Sequence, residues 1–277
     1  KMYKKLFAQV DTPRNIIANV DDPGVLRILT ELGLEKKVTS VSGYSKTSDA
    51  QVKLTEVELL NEPSGTKTWS ATFSTKTWGD LKINSAIPGA HNLANMAQSI
   101  ATLEQLQGSS AIDPIKKENL ISALESFRGV KRRMQFHGEF EKIKIYEDFA
   151  HHPSSVGVVL ETLRRQHPGN RLLVAFEPRS ASSRRKIFQS EFTKSLQKAD
   201  MVFLAPTFKD KVLAQEDLLD TRVMATEIGE TAQCFNNNSD LQEHLEQTLC
   251  GGDVLVVMSC GSFSSLLKNI VIKLSAE

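Results

Sequence analysis

The feature that most constrains this chain is the alternation, from residue 143 onward, of short apolar runs with amphipathic stretches of helical period. The runs lie at 143–146, 172–176, 201–204 and 254–258, and helical stretches stand at about 154–166, 183–198, 239–249 and 262–274. Parallel strands need a long crossover between them, which a helix supplies. The order therefore predicts an α/β domain with a mostly parallel, Rossmann-like sheet covered on both faces. Ligands of such sheets sit beyond the carboxyl ends of the strands, where loops lead into helix starts.

The residues before the turn at 129–133 have a different texture. A short strand at 15–20 ends in Asp21-Asp22-Pro23, and helical periodicity follows over 24–34 with Gly33 near its end. Strands are expected at 38–41, 52–60, 68–74 and 81–87, with turns at Pro63-Ser64-Gly65 and Gly79-Asp80; they read as antiparallel with one wet face. After Pro88-Gly89, Leu93, Met96, Ala97, Ile100, Leu103 and Leu106 share one helical stripe, and Pro114 is expected to open a second helix reaching about Phe127. Tyr3, Leu6, Phe7 and Val10 already carry helical spacing, so the first residue reads as mid-domain. Two domains follow, 1–130 with mixed sheet and helices, and 131–277.

Composition excludes several functions. With 34 Lys+Arg against 33 Asp+Glu the net charge is +1, which leaves no excess positive field for nucleic acid or an anionic membrane. Cys234, Cys250 and Cys260 form no C-x-x-C pair and no metal-ligand array, and a reducing cytoplasm suits them. No apolar run approaches a membrane span, and the start lacks the marks of a secretion signal.

Four loops carry candidate chemistry, each with a plainer alternative. Asp148-Phe149-Ala150-His151-His152-Pro153 brings a carboxylate, two imidazoles and a helix start together. The carboxylate can accept from vicinal ribose hydroxyls and the imidazoles can carry protons, or the loop is an acidic strand end with His151 as a cap and Pro153 as first helical residue. Glu177-Pro178-Arg179-Ser180-Ala181-Ser182-Ser183-Arg184-Arg185 crowds three guanidiniums and three hydroxyls at one strand end, either for an anionic substrate group or as a serine cap with solvated arginines. Gly89-Ala90-His91-Asn92-Leu93-Ala94-Asn95 puts two amides one helical turn apart, where they can pair with an adenine edge; Asn92 as a cap and His91 as a surface residue is the alternative. Lys131-Arg132-Arg133 is either a cationic bridge at the domain junction or a solvated charge run.

The order of these segments resembles the Mur ligase family: Gly-Ala-His-Asn at 89–92, then Phe-Arg-Gly-Val-Lys-Arg-Arg-Met at 127–134, then Glu-Asp-Phe-Ala-His-His-Pro at 147–153. Phe176-Glu177-Pro178-Arg179-Ser180 resembles the murein peptide ligase branch, and Asn19-Val20-Asp21-Asp22-Pro23 resembles the late central domain of these enzymes. The resemblance implies the end of a central ATP-binding domain followed by the third domain of an ATP- and Mg2+-dependent ligase. That enzyme joins UDP-N-acetylmuramate to L-alanyl-γ-D-glutamyl-meso-diaminopimelate through an acyl phosphate. Carried over by position, it implies that His91, Asn92 and Asn95 contact adenine, Arg133 the phosphates and Asp148 the ribose. Arg133, His151 and His152 would serve catalysis, Arg179, Ser180 and Ser259 the peptide, and no metal ligand is assigned.

Two departures accompany the resemblance. The 277 residues contain no G-x-x-x-x-G-K-[ST], so the backbone cradle for the triphosphate is absent from them. Met258-Ser259-Cys260-Gly261-Ser262-Phe263 stands where a more glycine-rich loop is expected. The remaining nucleotide contacts sum to about 4–8 kcal/mol, against an association cost on the order of 4–15 kcal/mol. The chain alone is therefore expected to bind ATP at millimolar affinity or weaker and not to ligate. The alternative is a noncatalytic module that keeps a pocket for a UDP-sugar or peptide. A nicotinamide oxidoreductase would need a G-x-G-x-x-G after a strand, and none occurs.

Overall fold

The computed structural model describes residues 5, 16–35, 38–42, 49–61, 67–87, 89–208, 214–261 and 263–276. Tyr3, Leu6, Phe7, Val10, the Pro63-Ser64-Gly65 turn and Pro88 lie outside the described residues. The chain divides into two compact units, Lys1–Arg128 and Gly129–Glu277.

The first unit runs β1 (Ile17–Asn19), α1 (Pro23–Leu32), β2 (Thr39–Ser42), β3 (Val52–Asn61), β4 (Lys67–Thr75), β5 (Gly79–Ser85), α2 (Ala90–Gly108) and α3 (Lys117–Ser126), its sheet ordered β1-β2-β3-β4-β5. The expectation of antiparallel strands holds for β3, β4 and β5 and fails for β2, which pairs in parallel with β3 and, on its other side, with β1. The β1–β2 pair is parallel because α1 returns the chain to the same end of the sheet before β2 begins. Asp22 starts that helix by accepting from the amides of Gly24 and Val25 at 2.7 and 2.9 Å, and Gly33 ends it at φ +62°.

One face of this sheet is apolar. Phe73, Leu81 and Ile83 pack against Leu93, Met96, Ala97 and Ile100 of α2, while alternate residues of β5 face water. Leu106, expected on the same stripe, is 38% exposed. Pro114 does not open α3. Lys116 is extended, and Ile115 is tied down by the Gln107 side chain (2.7 Å) and the Trp78 indole (2.9 Å), so helical turns begin only at Lys117.

The second unit runs β6 (Gln135–Phe140), β7 (Ile143–Asp148), α4 (Pro153–Gln166), β8 (Leu172–Phe176), α5 (Gln189–Leu196), β9 (Met201–Leu204), α6 (Thr221–Ile228), β10 (Ala232–Cys234), α7 (Asn238–Thr248), β11 (Val254–Met258) and α8 (Ser264–Ala276). Its strand order is β10-β9-β8-β11-β7-β6, and only the β6–β7 pair is antiparallel. β8 and β11 are buried along their whole length, as the uninterrupted apolar runs require. Leu160, Leu163, Phe192, Leu196 and Met224 of α4, α5 and α6 cover one face; Leu241, Leu245, Leu267 and Ile270 of α7 and α8 cover the other.

The expected helix at 183–198 is not continuous. A bridge between Arg185 and Leu218 and a turn centred on Ser180 and Ser183 hold the first residues out of helix; a 3-10 turn at Lys186–Phe188 intervenes before α5. β6, α6 and β10 were not foreseen. In β6, Gly138 at φ +140° sits at a shift in register, which breaks the period-two pattern that marks a strand.

Candidate functional site

Topology selects the place. β11 is the last strand in sequence yet lies between β7 and β8. The chain leaves β7 and β8 toward the α4 and α5 face, but leaves β11 toward the α8 face. Loops diverging from neighbouring strands open a crevice at the carboxyl edge, where open α/β sheets bind ligands. Register fixes the level, since Asp148 and Phe176 both stand opposite Met258. Phe149, Glu177 and Ser259 therefore emerge side by side, their backbones still linked by Ser259 N to Asp148 O (3.1 Å) and Glu177 N to Met258 O (3.0 Å).

A strained turn packs against this edge. Arg132 (φ +60°) and Met134 (φ +46°) occupy the left-handed region, which costs a non-glycine residue about 1–3 kcal/mol. Asp148 holds the turn, one carboxylate oxygen accepting from the Met134 amide (2.7 Å) and the other from the Ala150 amide (2.6 Å). The Phe149 amide adds a bond to the Arg132 carbonyl at 2.8 Å. Asp148 is 3% exposed. Burial pushes its carboxyl above the ordinary carboxylate range, opposed by those amides and by the charge of Arg133. The residue expected to receive ribose hydroxyls is thus engaged on both oxygens by the backbone and fixes the turn that carries Arg133.

Arg132, the middle of the basic triplet, faces inward. Its Nε donates to Glu147 at 2.9 Å and its Nη2 to the Ser259 carbonyl at 2.5 Å. The other Glu147 oxygen lies 3.1 Å from His137 Nε2. Arg133 is exposed, with its Cζ 5.4 Å from the Phe149 ring centroid.

On the other side of β11, Glu177 is 5% exposed and accepts from the Ser259 hydroxyl, which in turn accepts from the Gly261 amide at 2.8 Å. Arg179 Nη1 lies 3.6 Å from Glu177, and its guanidinium stacks over Phe208 at 4.3 Å. The Arg179 side chain crosses the backbone of Gly261 so closely that a Cβ there would stand 1.8 Å from Arg179 Cδ. Glycine at 261 is what lets Arg179 take this path. Ser180 turns inward, its hydroxyl 2.9 Å from that of Ser183, and Arg184 is buried against the Ser180 carbonyl at 3.2 Å. Burial pushes the Cys260 thiol up, which disfavours the thiolate a nucleophile would need.

The structure joins Arg133, Asp148 and His151 around Phe149, with His151 Nδ1 3.0 Å from the Phe149 carbonyl oxygen. It joins Arg179 and Ser259 around Glu177. The expected convergence of both imidazoles is corrected: His152 turns away, its Nδ1 2.9 Å from the Ser154 hydroxyl and its ring against Phe188. His152 occupies the cap position of α4 without a side-chain capping bond, and Pro153 is the first helical residue. In the first unit His91, Asn92 and Asn95 lie on the opening turns of α2, the first two half-buried and Asn95 exposed. Gly89 at φ +98° is the cap there, and Asn92 is already helical. Arg132, Glu147, Glu177 and Gly261 were absent from the expected site, although Arg132, Glu147 and Glu177 sit inside the motifs that pointed to it.

The fold is that of a doubly wound α/β domain that follows a mixed-sheet unit. A family model described as Mur ligase middle domain matches residues 1–103, and one described as Mur ligase, glutamate ligase domain, matches residues 132–261. The chain belongs to the Mur ligase family. The UDP-N-acetylmuramate–L-alanine ligase of Desulforamulus reducens is 26% identical over 281 residues, covering 100% of this chain and 57% of that protein. The ligase of the same name from Agathobacter rectalis is 29% identical over 199 residues, covering 70% of this chain and 40% of that protein. The chain spans about half the length of the curated relatives it matches. Among solved structures, a murein peptide ligase from Psychrobacter arcticus superposes with a TM-score of 0.65 at 21% identity, covering 98% of this chain and 53% of that one. Mycobacterium tuberculosis folylpolyglutamate synthase complexed with ADP gives 0.65 at 14%, covering 92% and 54%. These likenesses show the fold. Among the described residues no helix is long and apolar enough to cross a membrane.

Proposed function

We propose that the chain is the later part of an ATP-dependent amide ligase that joins the carboxylate of UDP-N-acetylmuramate to the amine of L-alanyl-γ-D-glutamyl-meso-diaminopimelate. The observation that carries the reading is the paired edge at the switch point. On one side of β11 an exposed Arg133 is presented by a strained turn locked through Asp148; on the other, Arg179 is laid over Gly261 and Phe208. A fixed guanidinium suits phosphate oxygens, and a carboxylate, Glu177, held beside a guanidinium suits a peptide whose terminal ammonium is followed along the chain by a free carboxylate.

For ATP, the second unit offers the charge of Arg133 to phosphate oxygens. When bound, ATP supplies the phosphoryl group that activates the muramate carboxylate. The chain's own residues then act by positioning and electrostatics: Asp148 and Arg132 hold the turn, Arg133 meets negative charge, and Arg179 and Glu177 orient the amine substrate. Magnesium is expected in the whole enzyme. Among the described residues no group of His, Cys, Asp and Glu side chains is placed to hold a metal ion.

A second reading keeps the reaction and changes the amine to L-alanine, favoured by the names of the curated relatives. Phosphate release by the full-length protein, with mass spectrometry of the product, separates the two. With ATP and UDP-N-acetylmuramate, the tripeptide should give phosphate and amide in equal amounts, and L-alanine far less. Amide formed from L-alanine alone overturns the substrate choice. Absence of phosphate release with either amine overturns the ligase and leaves a binding module.

A further inference from the structure

Beyond β11 and β8 the carboxyl edge continues over β9 and β10, where it is hollow. A cavity of about 360 Å³ is lined by Glu177, Arg179 and Phe208, and one of about 510 Å³ by Leu218, Asp220, Arg222 and Phe235. Pro206, Thr207 and Asn236 line both, so the two hollows form one trough along the edge. Their volumes lie within the range of about 300–1,000 Å³ that bound small molecules occupy.

The two ends of the trough have similar chemistry. At the near end a guanidinium, Arg179, stands beside a carboxylate, Glu177. At the far end Arg222 donates to the Asn236 side chain at 2.9 Å, and Asp220 lies alongside, one oxygen accepting from the Arg222 amide at 2.9 Å. Leu218 and Phe235 supply apolar surface at that end, and Pro206 between the two. A guanidinium beside a carboxylate is the complement of an ammonium beside a carboxylate; at the near end a peptide's terminal ammonium meets Glu177 and the next free carboxylate along its chain meets Arg179. Such a trough matches a ligand with polar groups at both ends and a less polar stretch between. A single small amino acid would fill only the near end.

We infer that the trough seats an extended amine substrate, a short peptide whose reacting end lies by Arg179 and whose far end, bearing both an amino and a carboxylate group, lies by Arg222, Asp220 and Asn236. The direction of the peptide rests on the ligase reading; the trough and its far end do not. Arg222 is thereby a specificity residue that distinguishes a peptide from a lone amino acid.

Calorimetric titration of the 277-residue chain at millimolar peptide tests this. The probes are L-alanyl-γ-D-glutamyl-meso-diaminopimelate and the dipeptide that lacks its last residue, each against wild type, Arg222→Ala and Arg222→Lys. Arg222 is exposed, so the variants should melt with the wild type. The tripeptide should bind about tenfold more weakly to Arg222→Ala, with partial recovery in Arg222→Lys and no change for the dipeptide. Equal tripeptide affinity in wild type and Arg222→Ala, an equal loss for both peptides, or no tripeptide binding to wild type overturns the inference. The two readings fail separately. A tripeptide bound through Arg222 in a full-length protein that never ligates removes the ligase and keeps the trough; ligation whose tripeptide KM ignores Arg222→Ala removes the trough and keeps the ligase.

Discussion

The two halves of one sheet edge solve different problems. Along β7 and β11 the ionic groups close on the protein itself: Asp148 on two backbone amides, and Glu147 on Arg132 and His137. Along β8, β9 and β10 the edge is hollow, lined by Arg179 at one end and by the exposed Arg222 and Asn236 at the other. The difference separates the groups that hold a site's shape from the groups left to meet a ligand. Strain at Arg132 and Met134 belongs to the first class, because surrounding bonds over-determine it.

Breaking the closed half should cost folding stability first. Asp148→Ala leaves the buried amides of Met134 and Ala150 without an acceptor, each loss about 1–3 kcal/mol. Urea unfolding should show about 2–5 kcal/mol lost, and the full-length protein should show a higher ATP KM because the turn bearing Arg133 is released. Unchanged stability would mean that the half is not closed as described. Arg132→Ala removes one partner from Glu147 and one from the Ser259 carbonyl, with an expected loss of about 1–3 kcal/mol in the same assay.

Gly261→Ala sharpens the contrast, since it acts on the boundary between halves. The new methyl group displaces the Arg179 side chain, which is flexible enough to move. Stability should change by less than about 1 kcal/mol, while tripeptide affinity falls about tenfold. Loss of stability without loss of affinity would place Arg179 in the scaffold.

The smallest effect concerns pH. Because the folded-state pKa of Asp148 is raised, the folded protein holds this proton more tightly than the unfolded chain. The carboxyl therefore disfavours folding above that pKa, and the penalty is relieved as pH falls through it toward the unfolded value. Relative to Asp148→Asn, which does not titrate, the wild type should gain stability as pH falls from neutrality toward about 4. A difference that stays flat or moves the other way contradicts the burial argument.

The sheet of the second unit was legible because β8 and β11 are unbroken apolar runs, and a helix-length stretch separates each expected strand from the next. β6 was hidden by its bulge at Gly138, and the break before α5 by the local Ser180–Ser183 turn together with the Arg185–Leu218 bridge, a contact distant in sequence. The parallel pairing of β1 and β2 could have been argued from α1, which intervenes between them. In the site, the motif loops were located from sequence, but the direction each side chain faces was not. Arg132 and Arg133 are adjacent, and only φ +60° at Arg132 turns one inward while the other remains exposed. Gly261 gave no signal of its own, because its role is to leave room for a residue far away in sequence. Arg222 and Asn236 carry no motif and emerge only from the cavity they line.

Hydrogen exchange on the 277-residue chain, with and without saturating tripeptide, bears most directly on the claim that ligand enters at this edge. Slower exchange is expected in the loops after β8, β9 and β10, at 177–184, 205–208 and 235–238, with no change at the amino ends of the same strands. Protection confined to other surfaces, or none at saturation, would contradict it.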